Sequence, residues 1–472
     1  MSVENTHVGA ALIAERLKTC RSIFFIGIGG ISMSALAELS ASNGFLVGGS
    51  DRTETEVTRR LCERGIRVYY GHDAAHVADY DAVIYTVAID AKNPEYLEAQ
   101  RRGLPLFSRA DYLGYLMMSF RTRVGVAGMH GKSTCTAMCT SIFLAAGDPT
   151  VLCGAALPAL GDSPCRIGEG REHIVFEACE YMDSFLDFNP TLAVVLNMGM
   201  DHVDYFHSME QIRASFLAFA ERTGEGGALL YNADDAESKK AFSAFRGEKI
   251  TFGLDAAADF YAENVSLGGG ETAFDFCRAG KVLCRIALRA SGRHNLYNAL
   301  AAASAAILCG IAPETIARGL AEFCGASRRM EHKGTLPCGA VVYDDYGHHP
   351  DEIKATLAGA RELGFKRVLC AYQPHTYSRT AGLLEEFSSA FAAADYTFFA
   401  DIYAAREENL WGVTSQTLAL RIGERATYCG DFQSVAMAIQ DEARDGDLVI
   451  VMGAGDIYRL FDLLELKKTK NH

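Results

Sequence analysis

Arg123-Val124-Gly125-Val126-Ala127-Gly128-Met129-His130-Gly131-Lys132-Ser133-Thr134 is a short hydrophobic run that passes into a glycine turn, a lysine and two hydroxyls. The run reads as a strand, and the apolar pattern after Thr134 reads as a helix. Glycines at 128 and 131 let the backbone from Gly128 through Met129 and His130 to Gly131 curl so that its N–H groups point inward. The following helix adds the positive end of its dipole, and together they make a phosphate cradle. Lys132 supplies a full charge for the β- and γ-phosphates of ATP or GTP, and the Ser133 hydroxyl is placed to ligate the accompanying Mg2+. The strict nucleotide-loop pattern would carry a glycine where Val126 stands, so the match is to the shorter GxxGKS.

On either side of this unit, runs rich in Ile, Val, Leu and Phe alternate with amphipathic helical stretches, the pattern of doubly wound parallel sheets in an α/β protein. The clearest strands are expected at Ser22 to Ile28, Ala82 to Thr86, Arg123 to Ala127, His173 to Glu177, Leu192 to Leu196, Ala340 to Tyr343, Arg367 to Ala371 and Asp447 to Met452. Most end in a polar or glycine-rich turn, where such sheets place their ligands. Changes of theme divide the chain into three parts: residues 1–120, opened by Gly27-Ile28-Gly29-Gly30; residues 121–325, built around the cradle; and residues 326–472, which open near Arg328-Arg329. Lys249 to Arg289 reads as short strands and turns, an antiparallel insertion in the second part.

A length of 472 residues suits two to four domains. The formal charge of −14 argues against a nucleic-acid surface built on bulk electrostatics, so bound phosphates must be held by local loops. The fourteen cysteines follow no CxxC pair or even ladder, which points to reduced thiols rather than disulfides or a zinc site. The polar start of the chain predicts no signal peptide, and the alanine-rich run from Ala299 to Ile311 falls short of the ~20 residues of a membrane span. A soluble cytoplasmic enzyme without membrane or nucleic-acid partners, monomeric or homodimeric, is expected.

Four further constellations carry chemistry. In the first, Gly27, Gly29, Gly30, Ile31 and Ser32 form a loop after a strand, with Asp51 about 20 residues on. A full dinucleotide fingerprint needs glycine at Ser32, so the loop suits a nicotinamide or flavin, a UDP or other diphosphate, or close strand–helix packing. In the second, Glu177, Glu180 and Asp183 follow a strand and could hold the magnesium of a nucleotide on the neighbouring loop, with Glu177 and Glu180 the candidates. In the third, Asp201, His202 and Asp204 are close enough for one of them to reach a second metal. The fourth pairs Asp344-Asp345-Tyr346-Gly347-His348-His349-Pro350 with Gln373-Pro374-His375-Thr376-Tyr377-Ser378-Arg379. It sets His348, His375 and Arg379 at adjacent strand ends, a layout suited to a carboxylate-bearing substrate and an anionic intermediate.

Taken in order, GIGGISMSALAEL, GMHGKST, EACEYMDSFL, DHVDYF, SGRHNLYNALAA, DDYGHHPDEI and QPHTYSRT resemble the Mur ligase family over nearly the whole chain. The resemblance implies an N-terminal Rossmann-like UDP-binding domain, a central P-loop ATPase-like domain and a C-terminal Rossmann-like domain. It implies ATP-dependent joining of L-alanine to the lactyl carboxylate of UDP-N-acetylmuramate, through an acyl phosphate, in peptidoglycan synthesis. Carried over by position, Lys132 holds the ATP phosphates, Ser133 and Glu180 ligate one Mg2+, and His202 serves a second. His294 and Asn295 take the adenine side, and Arg328 and Asp345 reach the phosphates and ribose. His348, His375 and Arg379, with Tyr346, orient alanine, while Gly27 to Ser32 and Asp51 hold UDP. Met129 stands where the family usually has threonine, and Thr376 where it usually has arginine. A family ligase for another amino acid or a recycled peptide is the nearer alternative, and a nicotinamide-dependent oxidoreductase the remote one.

Overall fold

The computed structural model of the chain describes residues 7–467 apart from Val203, Asp204, Gly269, Ser291 and Arg406, with the backbone alone of Ile31. Among these residues the strands form three sheets. The first comprises β1 (Ser22–Ile26), β2 (Leu46–Asp51), β3 (Arg67–Tyr70), β4 (Ala82–Tyr85) and β5 (Leu106–Ser108), all parallel in the order β3-β2-β1-β4-β5. The central sheet comprises β6 (Thr122–Ala127), β7 (Thr150–Leu157), β8 (Ser163–Arg166), β9 (His173–Glu177), β10 (Leu192–Val195), β11 (Ala228–Asn232), β12 (Glu248–Gly253), β13 (Phe260–Gly268), β14 (Glu271–Arg278) and β15 (Lys281–Leu288). Its order is β15-β14-β13-β12-β11-β10-β6-β9-β7-β8. The third comprises β16 (Glu331–Thr335), β17 (Val341–Asp345), β18 (Val368–Tyr372), β19 (Tyr396–Ala400), β20 (Ala426–Gly430) and β21 (Leu448–Met452), in the order β16-β17-β21-β18-β19-β20.

The all-buried strands β1 (SIFFI), β18 (VLCAY) and β21 (LVIVM) are covered on both faces, which is why they read as unbroken apolar runs rather than alternating ones. In the central part, the helix Lys132–Ala146 packs beside the helix Arg293–Leu308, whose alanine-rich run lies in the core. The helix Pro313–Ala321 crosses so closely that a Cβ on Gly319 would lie 2.6 Å from Ile142 Cα. Small side chains there are a packing requirement.

Strand order also fixes where ligands can sit. β1 lies between β2 and β4, β6 between β10 and β9, and β21 between β17 and β18. Parallel strands whose connections leave in opposite directions open a crevice at their carboxyl ends. The loops after β1, β6, β9, β10, β17 and β18 carry the constellations read from the sequence.

Three expectations are corrected. The strands that carry His348 and His375 are not adjacent: β21 lies between β17 and β18, and the loops after them reach across its end, which brings the two rings to 5.9 Å. Lys249 to Arg289 is not wholly antiparallel: β12 runs parallel to β11 and to β13, and only β13, β14 and β15 form an antiparallel meander. The meander extends the central sheet, because apolar periodicity marks a strand without fixing the direction of its partner. The third sheet also begins before Ala340, with the antiparallel edge strand β16, whose polar sequence EHKGT carries no apolar signal. No helix among the described residues is long and apolar enough to cross a membrane.

Candidate active site

The cradle follows β6, with Gly128 at φ +147° and Gly131 at φ +85°, conformations that L side chains rarely adopt. A Cβ on Gly131 would also lie 2.6 Å from Asn298 Oδ1. Asn197, after β10, clamps the loop: its Oδ1 accepts from His130 N at 2.9 Å and its Nδ2 donates to His130 O at 2.9 Å. Gly131 caps the helix Lys132–Ala146 without a side-chain hydrogen bond, so the first-turn N–H groups face the cradle. Met129 packs its side chain into the hydrophobic core, so the departure from threonine leaves the cradle to backbone donors.

Lys132 Nζ donates to Gly128 O at 2.7 Å and lies 3.0 and 2.9 Å from the two carboxylate oxygens of Glu180. His202 Nε2 lies 3.1 Å from Glu180 Oε1, and Tyr181 packs over the His202 ring. Burial opposes the charge on Lys132, but Glu180 above all outweighs it, so the ammonium holds its proton more tightly than an ordinary lysine. Burial likewise opposes the Glu180 carboxylate, which Lys132 and His202 nonetheless hold below its usual range. The other acids of the segment have different partners: Glu177 Oε2 accepts from Gly154 N at 2.9 Å, and Asp183 accepts from the Tyr205 hydroxyl at 2.6 Å and from Ser215. Asp204 lies outside the described residues.

Glu180 is fully buried, and among the described residues its Oε2 has no hydrogen bond, its one charged neighbour being the Lys132 ammonium at 2.9 Å. Glu180 and His202 follow β9 and β10, and Ser133 lies in the first turn of the helix Lys132–Ala146, beside the lysine that pairs with Glu180. The Glu180 carboxylate and the Ser133 hydroxyl are hard oxygen donors of the kind Mg2+ takes, and the His202 imidazole is a nitrogen donor beside them.

A cavity of about 1310 Å³ opens from the cradle between the central and third sheets. Thr134, His294, Asn295, Arg329 and Asp345 line it. Arg328 is not among its lining residues. At φ +59° its guanidinium turns to Asp344 at 3.3 Å and to Gly453 O at 2.5 Å, and stacks on Tyr346 and Tyr458. Arg329 faces the cavity instead, 3.5 Å from Glu352. Asp345 has both oxygens on backbone donors, Gly347 N at 2.8 Å and Met330 N at 2.9 Å, so it shapes the rim.

A second cavity, of about 250 Å³, is lined by Tyr181, His202, Tyr346, His348, His375 and Arg379. His348 Nδ1 lies 3.1 Å from Tyr346 O, and His375 stacks on Tyr403. Burial, assisted by Arg379, lowers both imidazoles to about 4; Glu352 opposes this at His348. They are therefore neutral at physiological pH. Arg379 donates to Asp201 Oδ1 at 3.2 and 3.3 Å, an ion pair joining the third sheet to the loop after β10, and Nη1 reaches His375 Nδ1 at 3.3 Å. Glu407, which accepts from Ser378 N at 2.8 Å, also lines this cavity. No motif marked Glu407, whereas Arg329 stood beside its neighbour in the sequence.

In the first sheet, Gly27 N and Ile28 N donate to Ser50 O at 2.8 and 2.9 Å, Gly30 N to Gly27 O, and Gly29 N to Asp51 Oδ2 at 2.8 Å. Asp51 thus braces the loop, and a Cβ on Gly29 would lie 2.7 Å from it. The helix Ile31–Ser42 that follows has no side-chain cap, and Ser32 accepts from Arg109 Nη1 at 3.2 Å.

Comparison with known proteins covers the same span. The Mur ligase family, catalytic domain model matches residues 22–121, the Mur ligase middle domain model 126–306, and the Mur ligase, glutamate ligase domain model 328–455. The UDP-N-acetylmuramate--L-alanine ligase of Caldicellulosiruptor bescii is 44% identical over 94% of this chain and 98% of its own. The ligase of the same name from Clostridium novyi is 40% identical over 95% and 98%. A crystal structure of a UDP-N-acetylmuramate-alanine ligase from Thermotoga maritima superposes with a TM-score of 0.76 at 27% identity, covering 93% of this chain and 97% of that one.

Proposed function

The chain belongs to the Mur ligase family, and we propose on that premise that it joins L-alanine to the lactyl carboxylate of UDP-N-acetylmuramate with conversion of ATP to ADP and phosphate, a step in peptidoglycan precursor synthesis. The observation that carries this reading is a continuous chain of contacts between the two cavities. The cradle that lines the larger one supplies Lys132, Lys132 pairs with Glu180, Glu180 meets His202, and His202 lines the smaller one. A phosphoryl donor in the first cavity and an amine in the second would meet at that network.

In this reading residues 1–120 hold the nucleotide sugar, 121–325 hold ATP and 326–472 hold the amino acid. The carboxylate has no leaving group until a carboxylate oxygen attacks the γ-phosphorus of ATP. That step releases ADP and leaves an acyl phosphate. Lys132 balances the charge on the transferring group, with Arg329 rather than Arg328 as the guanidinium beside it. The deprotonated amine of alanine then attacks the acyl carbon, and collapse of the tetrahedral intermediate breaks the C–O bond to phosphate, which departs with the proton that the nitrogen loses, leaving the amide. Neutral His348, whose Nδ1–H faces Tyr346 O, accepts from the amine through Nε2, whereas His375, whose Nδ1 accepts from Arg379, presents Nε2–H as a donor; Arg379 takes the α-carboxylate. Ser133 and Glu180, with His202 at the second position, would hold Mg2+, which when bound neutralises phosphate charge. The Gly27 to Ser32 loop takes the UDP diphosphate, with no nicotinamide involved. The cytoplasm, where ATP and nucleotide sugars are made, is the expected compartment.

The 250 Å³ cavity has room for an amino acid. Phosphate release with ATP, Mg2+ and UDP-N-acetylmuramate, amino acids being varied one at a time, tests the reading. L-Alanine is expected to give the highest kcat/KM. Phosphate release that needs neither the nucleotide sugar nor an amino acid would overturn it.

A further inference from the structure

Arg109 is the first residue of the helix Arg109–Met117, directly after β5, so it projects from the carboxyl edge where the first sheet opens its crevice. Among the described residues its one hydrogen bond is from Nη1 to Ser32 Oγ at 3.2 Å, on the helix that leaves the Gly27 to Gly30 loop. It forms no ion pair among the described residues. The nearby acids have other partners: Asp187 lies 2.9 Å from His7 Nδ1, and Asp111 binds Ser108 and the backbone N–H of Val8. Burial is the main influence on the guanidinium, and the groups that favour its charge are Cys179 and Asp187 of the central part. The helix Arg109–Met117 packs against the turn Tyr181–Asp187, with no room for a Cβ on Gly114 beside Asp187 O, so Arg109 stands where the first and central parts meet.

Arg109 is half-buried and its acid neighbour Asp187 is already engaged by His7, so the guanidinium keeps donors that no side chain among the described residues takes up and that an anion from outside the chain would satisfy. In the ligase reading, on which this inference rests, the nucleotide sugar must bridge this seam. Its diphosphate lies at the first-sheet loop, and its lactyl carboxylate must reach Lys132 and Glu180. We propose that Arg109 is a substrate-binding residue that takes an anionic oxygen of the nucleotide sugar at the seam, with Ser32 as the seat that holds its guanidinium. Both the diphosphate and the carboxylate are oxyanions, and a planar guanidinium suits either.

Calorimetric titration of the full chain with UDP and with UDP-N-acetylmuramate, in the parent, Arg109→Ala and Arg109→Lys, tests this, with thermal midpoint and the KM for ATP measured alongside. Loss of a charge-assisted bond predicts binding weakened about 10- to 100-fold in Arg109→Ala. The lysine variant should recover part of it, and the KM for ATP should stay within about twofold. Weakening of both ligands assigns the diphosphate; weakening of UDP-N-acetylmuramate alone assigns the carboxylate. Unchanged affinity for both ligands in a variant with the parent's thermal midpoint would overturn the proposal. So would a loss of nucleotide-sugar affinity matched by an equal loss of ATP affinity, since that would mark a structural role. Failure of the ligase reading itself would be seen separately, as a parent protein that does not bind UDP-N-acetylmuramate.

Discussion

Removing one charge from the Lys132–Glu180 pair should destabilise the central part, and removing both should cost less than the two single losses added together. Glu180 is 0% exposed and the Lys132 side chain 13%, with nitrogen 2.9 and 3.0 Å from the two oxygens. Breaking a buried pair of this kind costs about 3–5 kcal/mol, because the remaining charge is left without its counterion. For a domain of about 200 residues, each kcal/mol lowers Tm by roughly 2–4 °C, so Glu180→Gln or Lys132→Met alone should lose at least ~6 °C. The double variant should lie well above the sum of the singles, with a coupling of about 1–3 kcal/mol. Lys132→Met should fall at the smaller end, since Glu180 keeps His202 at 3.1 Å. The pH dependence has a defined sign. Glu180 titrates below its usual range in the folded protein, so its contribution is complete above the unfolded carboxylate pKa near ~4.3 and fades as pH falls below it. Lys132 titrates above its usual range, so its contribution is complete below the unfolded pKa near ~10.4 and fades as pH rises through the higher folded value. Scanning calorimetry of the four proteins at pH 7.5 without nucleotide gives the cycle. Single variants within a degree of the parent, or additive losses in the double, would refute the reasoning.

Gly131→Ala should raise the KM for ATP about tenfold or more and lower Tm, since φ +85° and the buried Asn298 amide leave no room for a Cβ; steady-state kinetics and a thermal melt check both. The two neighbouring arginines should separate cleanly: Arg329→Ala should raise the KM for ATP, whereas Arg328→Ala, which strips Asp344 and Gly453 O of their partner, should lower Tm with a smaller kinetic effect. With His348 and His375 titrating at about 4, the KM for L-alanine should show no imidazole inflection between pH 6 and 8. Because those folded values lie below the ~6.5 of an unfolded histidine, stability should decline as pH falls from about 6.5 toward 4. An inflection near pH 6.5 that vanishes in His348→Gln would show the imidazole to be solvated.

Much of the fold was legible because its signal is local. Runs such as Leu192 to Leu196 are apolar on both faces, and the glycine-lysine-hydroxyl turn after Ala127 has one efficient use. The polar strand Glu331–Thr335 and the direction in which Glu248–Gly253 pairs were hidden, since both depend on a neighbour distant in sequence. In the site, the cradle, Glu180, His202 and the histidine cluster were readable at strand ends. That Arg329 rather than Arg328 faces the cavity follows from a positive φ at Arg328, which no residue type announces outside glycine. The Arg379–Asp201 pair spans 178 positions and exists only because two sheets meet. Met129 read as a lost hydroxyl, whereas its neighbours turn it into core packing.

Transfer of oxygen from the nucleotide sugar to phosphate tests the proposed chemistry most directly. With UDP-N-acetylmuramate labelled by 18O in both lactyl carboxylate oxygens, and ATP, Mg2+ and L-alanine in ordinary water, each amide formed should release one phosphate carrying a single 18O. Phosphate without label, formed in step with the amide, would contradict passage through an acyl phosphate.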